Sequence, residues 1–218
     1  MAMRPAPVSM HMLGYGITTG SQYIDYLLTD KVWMRPGLRE HCSESMVYMP
    51  DSWFIGFHGE RAPNVTFDRK SQDLPEDAFV FCNFNQPFKL SPDVFDVWCR
   101  LLQQLPHAVL WLLQWNDQAP DQLRQEAAAR GIDPARLVFA PRVGARQHLS
   151  RFALADIYLD AWPCNGHTTV SDALWAGVPV VTYSGLSFAS RVAASLLHAV
   201  DLKDYATSTT GDYEAKAL

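Results

Sequence analysis

Several things are scarce in this chain of 218 residues, and each scarcity excludes a class of protein. Cysteine occurs four times, at Cys42, Cys82, Cys99 and Cys164, and never in C-x-x-C spacing. No disulfide framework and no zinc module follows, and a reducing, cytoplasmic setting is expected. There is no long basic run, and 18 Lys and Arg against 23 Asp and Glu leave a net charge of −5. That argues against nucleic acid as a partner, because a phosphate backbone needs a concentrated basic surface. No apolar run is long enough to span a bilayer, so no membrane partner is expected. The start, Met1 to Pro7, has no apolar core of the kind a signal peptide needs. Low-complexity tracts and repeats at solenoid periods are absent too.

What remains is an ordinary globular composition, with 48% hydrophobic and 19% charged residues. The length suffices for one or two domains with a proper core. Residues 1–56 are rich in Met, Gly, Tyr and Pro with few periodic runs; Gln22 to Leu28 reads as a short buried strand or a helical turn. Residues 57–77, polar and holding Pro63, Asn64, Asp68, Asp73 and Pro75, read as a linker. From Ala78 to Leu218 the pattern is regular. Strands are predicted at Phe79–Phe84, Ala108–Leu113, Arg136–Ala140, Ile157–Asp160 and Val178–Thr182. Helices are predicted over 92–105 with Ser91 as N-cap and Pro92 at its first position, over 121–130 closed by Gly131, then over 146–152, 168–176 and 187–198.

Near-continuous apolar strands alternating with helices mark a parallel sheet covered on both faces. The expected fold class is therefore α/β, a doubly wound, Rossmann-like sheet of about five strands. Ligands of such sheets bind beyond the carboxyl ends of the strands. The polar groups there are Asn85, Gln86 and Lys89 after the first strand, Val143 to His148 after the third, and Cys164 to Thr169 after the fourth. The stretch Cys164-Asn165-Gly166-His167-Thr168-Thr169 stands out. It opens a helix, and a helix start with unpaired N–H groups and flanking hydroxyls is a phosphate site.

Each candidate also has a plainer reading. Lys89 either pairs with a diphosphate or is a solvated loop lysine. His148 lies against a base ring or is an ordinary packed histidine. His167 contacts phosphate or sugar, and with Cys164 supplies too few ligands for a closed zinc site, so no metal is expected. Thr168 and Thr169 cap the helix, bind phosphate, or do both, since both tasks use the same N–H groups. Asp172 accepts from ribose hydroxyls or only complements the helix dipole.

The strings Cys82–Trp98, Val109–Gln114, Arg136–Pro141, Gln147–Leu149, Leu159–Thr182 and Ala189–Ser195 carry a resemblance. With Arg4-Pro5-Ala6-Pro7, Leu13-Gly14-Tyr15, Thr19-Gly20, Asp25-Tyr26, Thr29-Asp30 and Tyr48-Met49-Pro50 upstream, in the same order, the chain resembles the catalytic region of the O-linked N-acetylglucosamine transferases. The related plant-type protein O-fucosyltransferases lack the Asn-Gly-His step at the 164–169 turn. The resemblance implies the C-terminal half of a GT-B glycosyltransferase, preceded by the tail of the N-terminal half over residues 1–56. It implies transfer of N-acetylglucosamine from UDP-N-acetylglucosamine (UDP-GlcNAc) to protein Ser or Thr hydroxyls, with inversion and without a metal ion or prosthetic group.

By the same resemblance Lys89 neutralises the leaving diphosphate, Gln86 contacts the nucleotide, and His148 and Arg151 lie at the uracil. His167, Thr168 and Thr169 cradle the diphosphate and sugar, Asp172 takes the ribose, and Cys164, Leu13 and Gly14 line the sugar. The chain departs from the family pattern at Ala145, where a lysine is usual, and at Gly16-Ile17-Thr18. A short linker points to a bacterial type. The first Rossmann-like half and the tetratricopeptide repeats that recruit protein acceptors are missing, and Tyr205 to Leu218 stops before the family's closing helices, so the chain is expected to be a fragment, and no residue in it is read as the catalytic base.

Overall fold

The computed structural model describes residues 4, 6–14, 16–56, 59 and 65–218. Met1 to Met3, Pro5 and Tyr15 of the strings above, and residues 57, 58 and 60–64 of the expected linker, including Pro63 and Asn64, lie outside the described residues.

Residues 1–56, with few periodic runs and a short strand or helical turn expected at Gln22 to Leu28, hold a small parallel sheet whose second strand overlaps that segment. β1 (Met10–His11), β2 (Tyr26–Thr29) and β3 (Ser45–Tyr48) pair in that order, with α1 (Pro36–Arg39) before the third strand. Its strands are two to four residues long and mix exposed with buried positions, which is too little for a period to emerge.

The larger sheet alternates with helices along the chain. Its first part runs β4 (Phe79–Asn83), α2 (Pro92–Gln104), β5 (Ala108–Leu113), α3 (Ala119–Ala129), β6 (Leu137–Ala140) and α4 (Ala145–Arg151). It continues with β7 (Ile157–Leu159), α5 (Thr168–Trp175), β8 (Val180–Tyr183), α6 (Val192–Ala199), β9 (Ala206–Thr207) and α7 (Thr210–Ala217). The strands lie in the order β6-β5-β4-β7-β8-β9, every neighbouring pair parallel. The chain winds outward through β4, β5 and β6, then returns to the other side of β4. The crevice between the ends of β4 and β7 is thus the topological switch point, where such sheets bind ligands.

The predicted five strands are all present, and the sheet has a sixth. β9 and α7 occupy residues for which no element was expected. α7 is fastened to the sheet by Tyr213, which is fully buried; its hydroxyl donates to Asp160 O at 2.9 Å and accepts from Trp98 Nε1 at 3.2 Å. The last predicted helix is broken: a 3-10 turn at Phe188–Ser190 precedes α6. Arg191 between them turns its guanidinium back to Val32 O and Gly185 O. β8 begins only at Val180 because Pro179 has no N–H to give the ladder, although its carbonyl still takes the Tyr158 amide at 2.8 Å.

Alternating strand residues feed two cores. Val80, Cys82, Val109 and Trp111 face one side; Phe81, Leu110 and Leu112 face the other with the apolar stripe of α2, Val94, Val97, Trp98, Leu101 and Leu102. Ser91 caps α2 by accepting from Val94 N. The first core also takes in Leu27, Trp33 and Trp53, so the small sheet packs on the large domain. Buried Asp30 makes the joint: Oδ1 accepts from the amides of Val32 and Trp33, Oδ2 from the Trp53 amide at 3.0 Å and the Ser195 hydroxyl at 2.6 Å. Among the described residues no helix is long and apolar enough to cross a membrane.

Candidate functional site

A cleft of about 360 Å³ opens at the switch point. Nine of the rim and site residues named from sequence line it: Asn85, Gln86 and Lys89 after β4, Val143 before α4, His148 and Arg151 on α4, and His167, Thr168 and Thr169 where α5 begins. Leu13, Gly14, Cys164 and Asp172 are not in its wall. Asp172 is buried one turn into α5. Cys164 is half-buried beside the turn, with Sγ 3.9 Å from Asn165 O. Leu13 and Gly14 both hold left-handed backbone, at φ 48° and 84°, and Leu13 packs on the first core.

The 164–169 turn is held by buried side chains: Asn165 within it, Asn85 across the crevice, and Asp160 and Asn83, which the sequence reading did not single out. Asn165 is fully buried and donates from Nδ2 to Ala161 O at 2.9 Å, while its amide goes to Ala189 O at 2.8 Å. Lys89 crosses the crevice and donates from Nζ to Asn165 O at 2.6 Å. Lys89 has no carboxylate partner among the described residues, so this bond leaves two of its three N–H groups for a ligand. Asp160 accepts the Gly166 amide at 2.6 Å, and the Thr169 hydroxyl donates to Asn85 Oδ1 at 2.7 Å. Asn83 Nδ2, donating to Leu159 O at 2.6 Å, ties the two strand ends together below.

His167, rather than a threonine, is the N-cap of α5, with Thr168 and Thr169 at its first two positions. Their N–H groups belong to the first turn, which has no partners within the helix. Burial lowers the His167 imidazole to about 4, and nearby Lys89 pushes it the same way. The ring is therefore neutral near pH 7. It bonds the Ala189 carbonyl, and its buried Nε2 has no partner. Nδ1 then carries the proton, and Nε2 is left as a buried acceptor.

The other end of the cleft is aromatic. The rings of Phe84 and His148 lie 5.1 Å apart, and Phe152 stands 5.1 Å from the imidazole. Arg151, almost wholly buried, lies over Phe84 at 4.7 Å, donates from Nη1 to Pro141 O and from Nη2 to His148 Nδ1, both at 2.6 Å. Burial lowers the guanidinium to about 10, which leaves it charged. An arginine only donates, so His148 Nδ1 accepts and the neutral ring carries its proton on Nε2. Trp115 and Arg142, stacked at 4.6 Å, form the outer wall with Val143. Ala145 lies outside the wall, which Arg142, three residues earlier, joins as a second cation beside Arg151.

Two buried carboxylates have shifted pKa values, Asp160 beneath the turn and Glu44 beside the small sheet. Burial raises Asp160 from 3.8 to about 6, against the opposing effect of the bonds from Gly166 and Thr182 and of Lys89. Because the folded value lies above the unfolded one, its contribution to stability is full below about 4 and is lost as pH rises through about 6. Asp160→Asn is expected to flatten that part of the pH dependence, up to ~3 kcal/mol between pH 4 and 7, in urea unfolding; an unchanged profile would contradict the assignment. Burial also acts on Glu44, but the hydroxyls of Thr18 and Thr19 and the Thr19 amide outweigh it and hold Glu44 at about 2.

A family model described as Glycosyl transferase family 41 matches residues 1–68 and 57–218, which is the whole chain. The chain belongs to that family. Family 41 relatives include a probable UDP-N-acetylglucosamine–peptide N-acetylglucosaminyltransferase, SEC, of Arabidopsis thaliana, 38% identical over all of this chain and 23% of the relative. A UDP-N-acetylglucosamine–peptide N-acetylglucosaminyltransferase of Caenorhabditis elegans is 28% identical over all of this chain and 28% of its own length. The chain thus spans about a quarter of these family 41 relatives. Among solved structures, a K341M mutant of the Thermobaculum terrenum O-GlcNAc transferase superposes with a TM-score of 0.87 at 30% identity, over all of this chain and 41% of that one. A sucrose-phosphate synthase of Thermosynechococcus elongatus, at 15% identity and a TM-score of 0.53, shares the fold. The fold of this family 41 chain is of the GT-B glycosyltransferase type.

Proposed function

We propose that this chain is the nucleotide-sugar half of a protein O-GlcNAc transferase, and that the switch-point cleft holds UDP-GlcNAc. One observation carries the reading: a family 41 chain brings Gln86, Lys89, His148, Arg151, His167, Thr168 and Thr169 to one cleft with a cationic, amide-rich end and an aromatic end. A diphosphate fits the first end, between Lys89 and the start of α5; a uracil fits the second, against His148. Arg151 then serves the base through His148, whose ring it orients. Asp172 is assigned to the ribose, and Cys164, Leu13 and Gly14 to the surroundings of the sugar. The small sheet of residues 10–48 belongs, on this reading, to the other half of the catalytic unit, with residues 57–77 as the linker and 78–218 as the nucleotide-sugar domain.

The chemistry follows from where charge grows. As the sugar leaves, its ring takes on oxocarbenium character and the β-phosphate becomes more negative. Lys89 and the first amides of α5 are already held in place by Asn165 and Asp160, so they meet that charge without reorganising. These fixed cationic groups occupy the role a metal ion plays in other transferases, and attack by a Ser or Thr hydroxyl from the opposite face inverts the anomeric centre. The wall of the cleft holds no carboxylate among the described residues. That favours a division of labour in which this chain binds the donor and the remainder of the protein, with its repeats, brings the acceptor and the base.

Transfer of labelled N-acetylglucosamine to a protein acceptor by the longer protein containing this chain tests the activity; no transfer by a folded protein contradicts it. A panel of UDP-GlcNAc, UDP-glucose and GDP-fucose tests the donor, and a clear preference for either of the others overturns the assignment. His148→Ala in the chain is expected to weaken UDP binding about tenfold in calorimetry, the scale of one lost stacking and hydrogen-bonding contact. An unchanged affinity would remove His148 from the base.

A further inference from the structure

Asp160 is a fully buried carboxylate that follows β7 directly and faces the floor of the turn. Its two oxygens are divided between two elements. Oδ1 accepts the Gly166 amide at 2.6 Å, and Oδ2 accepts the Thr182 hydroxyl of β8 at 2.7 Å. Its own carbonyl takes the Tyr213 hydroxyl of α7 at 2.9 Å. The charged and titratable groups facing it are Lys89 from the loop after β4, Tyr158 from its own strand and Tyr213 from α7.

Gly166 sits between two working parts of the turn. On one side is Asn165, whose carbonyl anchors Lys89; on the other is His167, the N-cap of α5. There is no slack at this point, since a Cβ on Gly166 would lie 3.2 Å from Asp160 Oδ1 and closer still to Thr169. We propose that Asp160 is the positioning residue of the diphosphate turn: by gripping the Gly166 amide against β8 it sets the lysine anchor and the helix start in one fixed relation. It touches no substrate itself, and the proposal rests on the reading of the cleft as a nucleotide-sugar site.

The test uses two readouts on the whole chain: exchange of the Gly166 amide proton by NMR without ligand, and UDP-GlcNAc affinity by calorimetry. Asp160→Ala removes both acceptors. It is expected to speed Gly166 exchange about tenfold relative to amides of β4 and β5, and to weaken donor binding about thirtyfold, as for loss of a hydrogen bond to a charged group. Asp160→Asn keeps a carbonyl for Gly166 and can donate to the Thr182 oxygen, so it is expected to restore both values to within about threefold. Wild-type values for Asp160→Ala, or an Asp160→Asn variant no better than Asp160→Ala, would overturn the proposal. Should Asp160→Ala not fold, Thr182→Val frees only Oδ2 and is expected to raise Gly166 exchange about threefold; a wild-type rate there overturns it equally. If the unaltered chain binds no UDP-GlcNAc, the functional reading fails, and Gly166 exchange still decides the role of Asp160.

Discussion

Lys89→Ala is expected to lower turnover of the complete transferase about 10²- to 10³-fold while changing UDP affinity by no more than about threefold. The asymmetry comes from where the charge is. In the ground state the diphosphate is held by several groups, among them the first amides of α5 and the hydroxyls of Thr168 and Thr169. In the transition state one further unit of negative charge gathers on the β-phosphate, and Lys89 is the cation held across the crevice by Asn165 O to receive it. An interaction that strengthens only as the bond breaks appears in kcat rather than in binding. Steady-state kinetics of transfer, paired with UDP calorimetry on the same variant, separates the two. Equal losses in both would make Lys89 a ground-state ligand and remove it from the chemistry.

Gly166→Ala is expected to weaken UDP binding about a hundredfold and to destabilise the fold by about 1–3 kcal/mol, the range for inserting a methyl into packed surroundings. Here the reason is space rather than backbone conformation. A Cβ at residue 166 would stand 2.5 Å from Thr169 Oγ1, 2.8 Å from Val170 Cγ2 and 3.2 Å from Asp160 Oδ1. Thr169 cannot simply swing away, because its hydroxyl bonds Asn85. Either the Gly166 amide leaves Asp160 or the first turn of α5 shifts, and each moves the groups that face the diphosphate. Calorimetry with UDP and urea unfolding of the variant report the two effects. Wild-type affinity in a normally folded variant would show that the turn is not a close fit and would weaken its assignment to the diphosphate.

The parts of this fold that were legible in sequence are those whose burial is nearly complete. β4 to β8 are apolar at almost every position because helices cover both faces, and α2 announces itself through Ser91, Pro92 and a continuous apolar stripe. β9 is two residues long and α7 carries one strongly buried aromatic among polar residues, so neither has a period to detect. The same holds for the small sheet, whose strands are two to four residues long; the segment after β2 is tied to distant residues through Trp33 to Phe188 O and Ser195 to Asp30.

The cleft was legible for a topological reason. Polar residues after the strand ends of a doubly wound sheet must meet at the switch point, which is how Gln86, Lys89, His148 and His167 to Thr169 arrive together. The residues that hold them were harder to see. Asn85 and Asn165 stood among the rim residues, but their bonds were not legible: Asn85 takes the Thr169 hydroxyl from far along the chain, and Asn165 donates to Ala161 O and Tyr183 O. Asp160 had a signal, since a lone carboxylate directly after Ile157-Tyr158-Leu159 is costly to bury without partners. Its partners Gly166 and Thr182 become visible only when β7 and β8 are paired.

The measurement that bears most directly on the central claim is a calorimetric titration of this chain with UDP and with GDP. A cleft whose aromatic end receives uracil and whose cationic end receives a diphosphate predicts saturable one-to-one binding of UDP, with GDP bound at least about tenfold more weakly. No binding of UDP, or equal binding of the two nucleotides by the folded chain, would contradict the claim that this cleft is the UDP end of a sugar-transfer site.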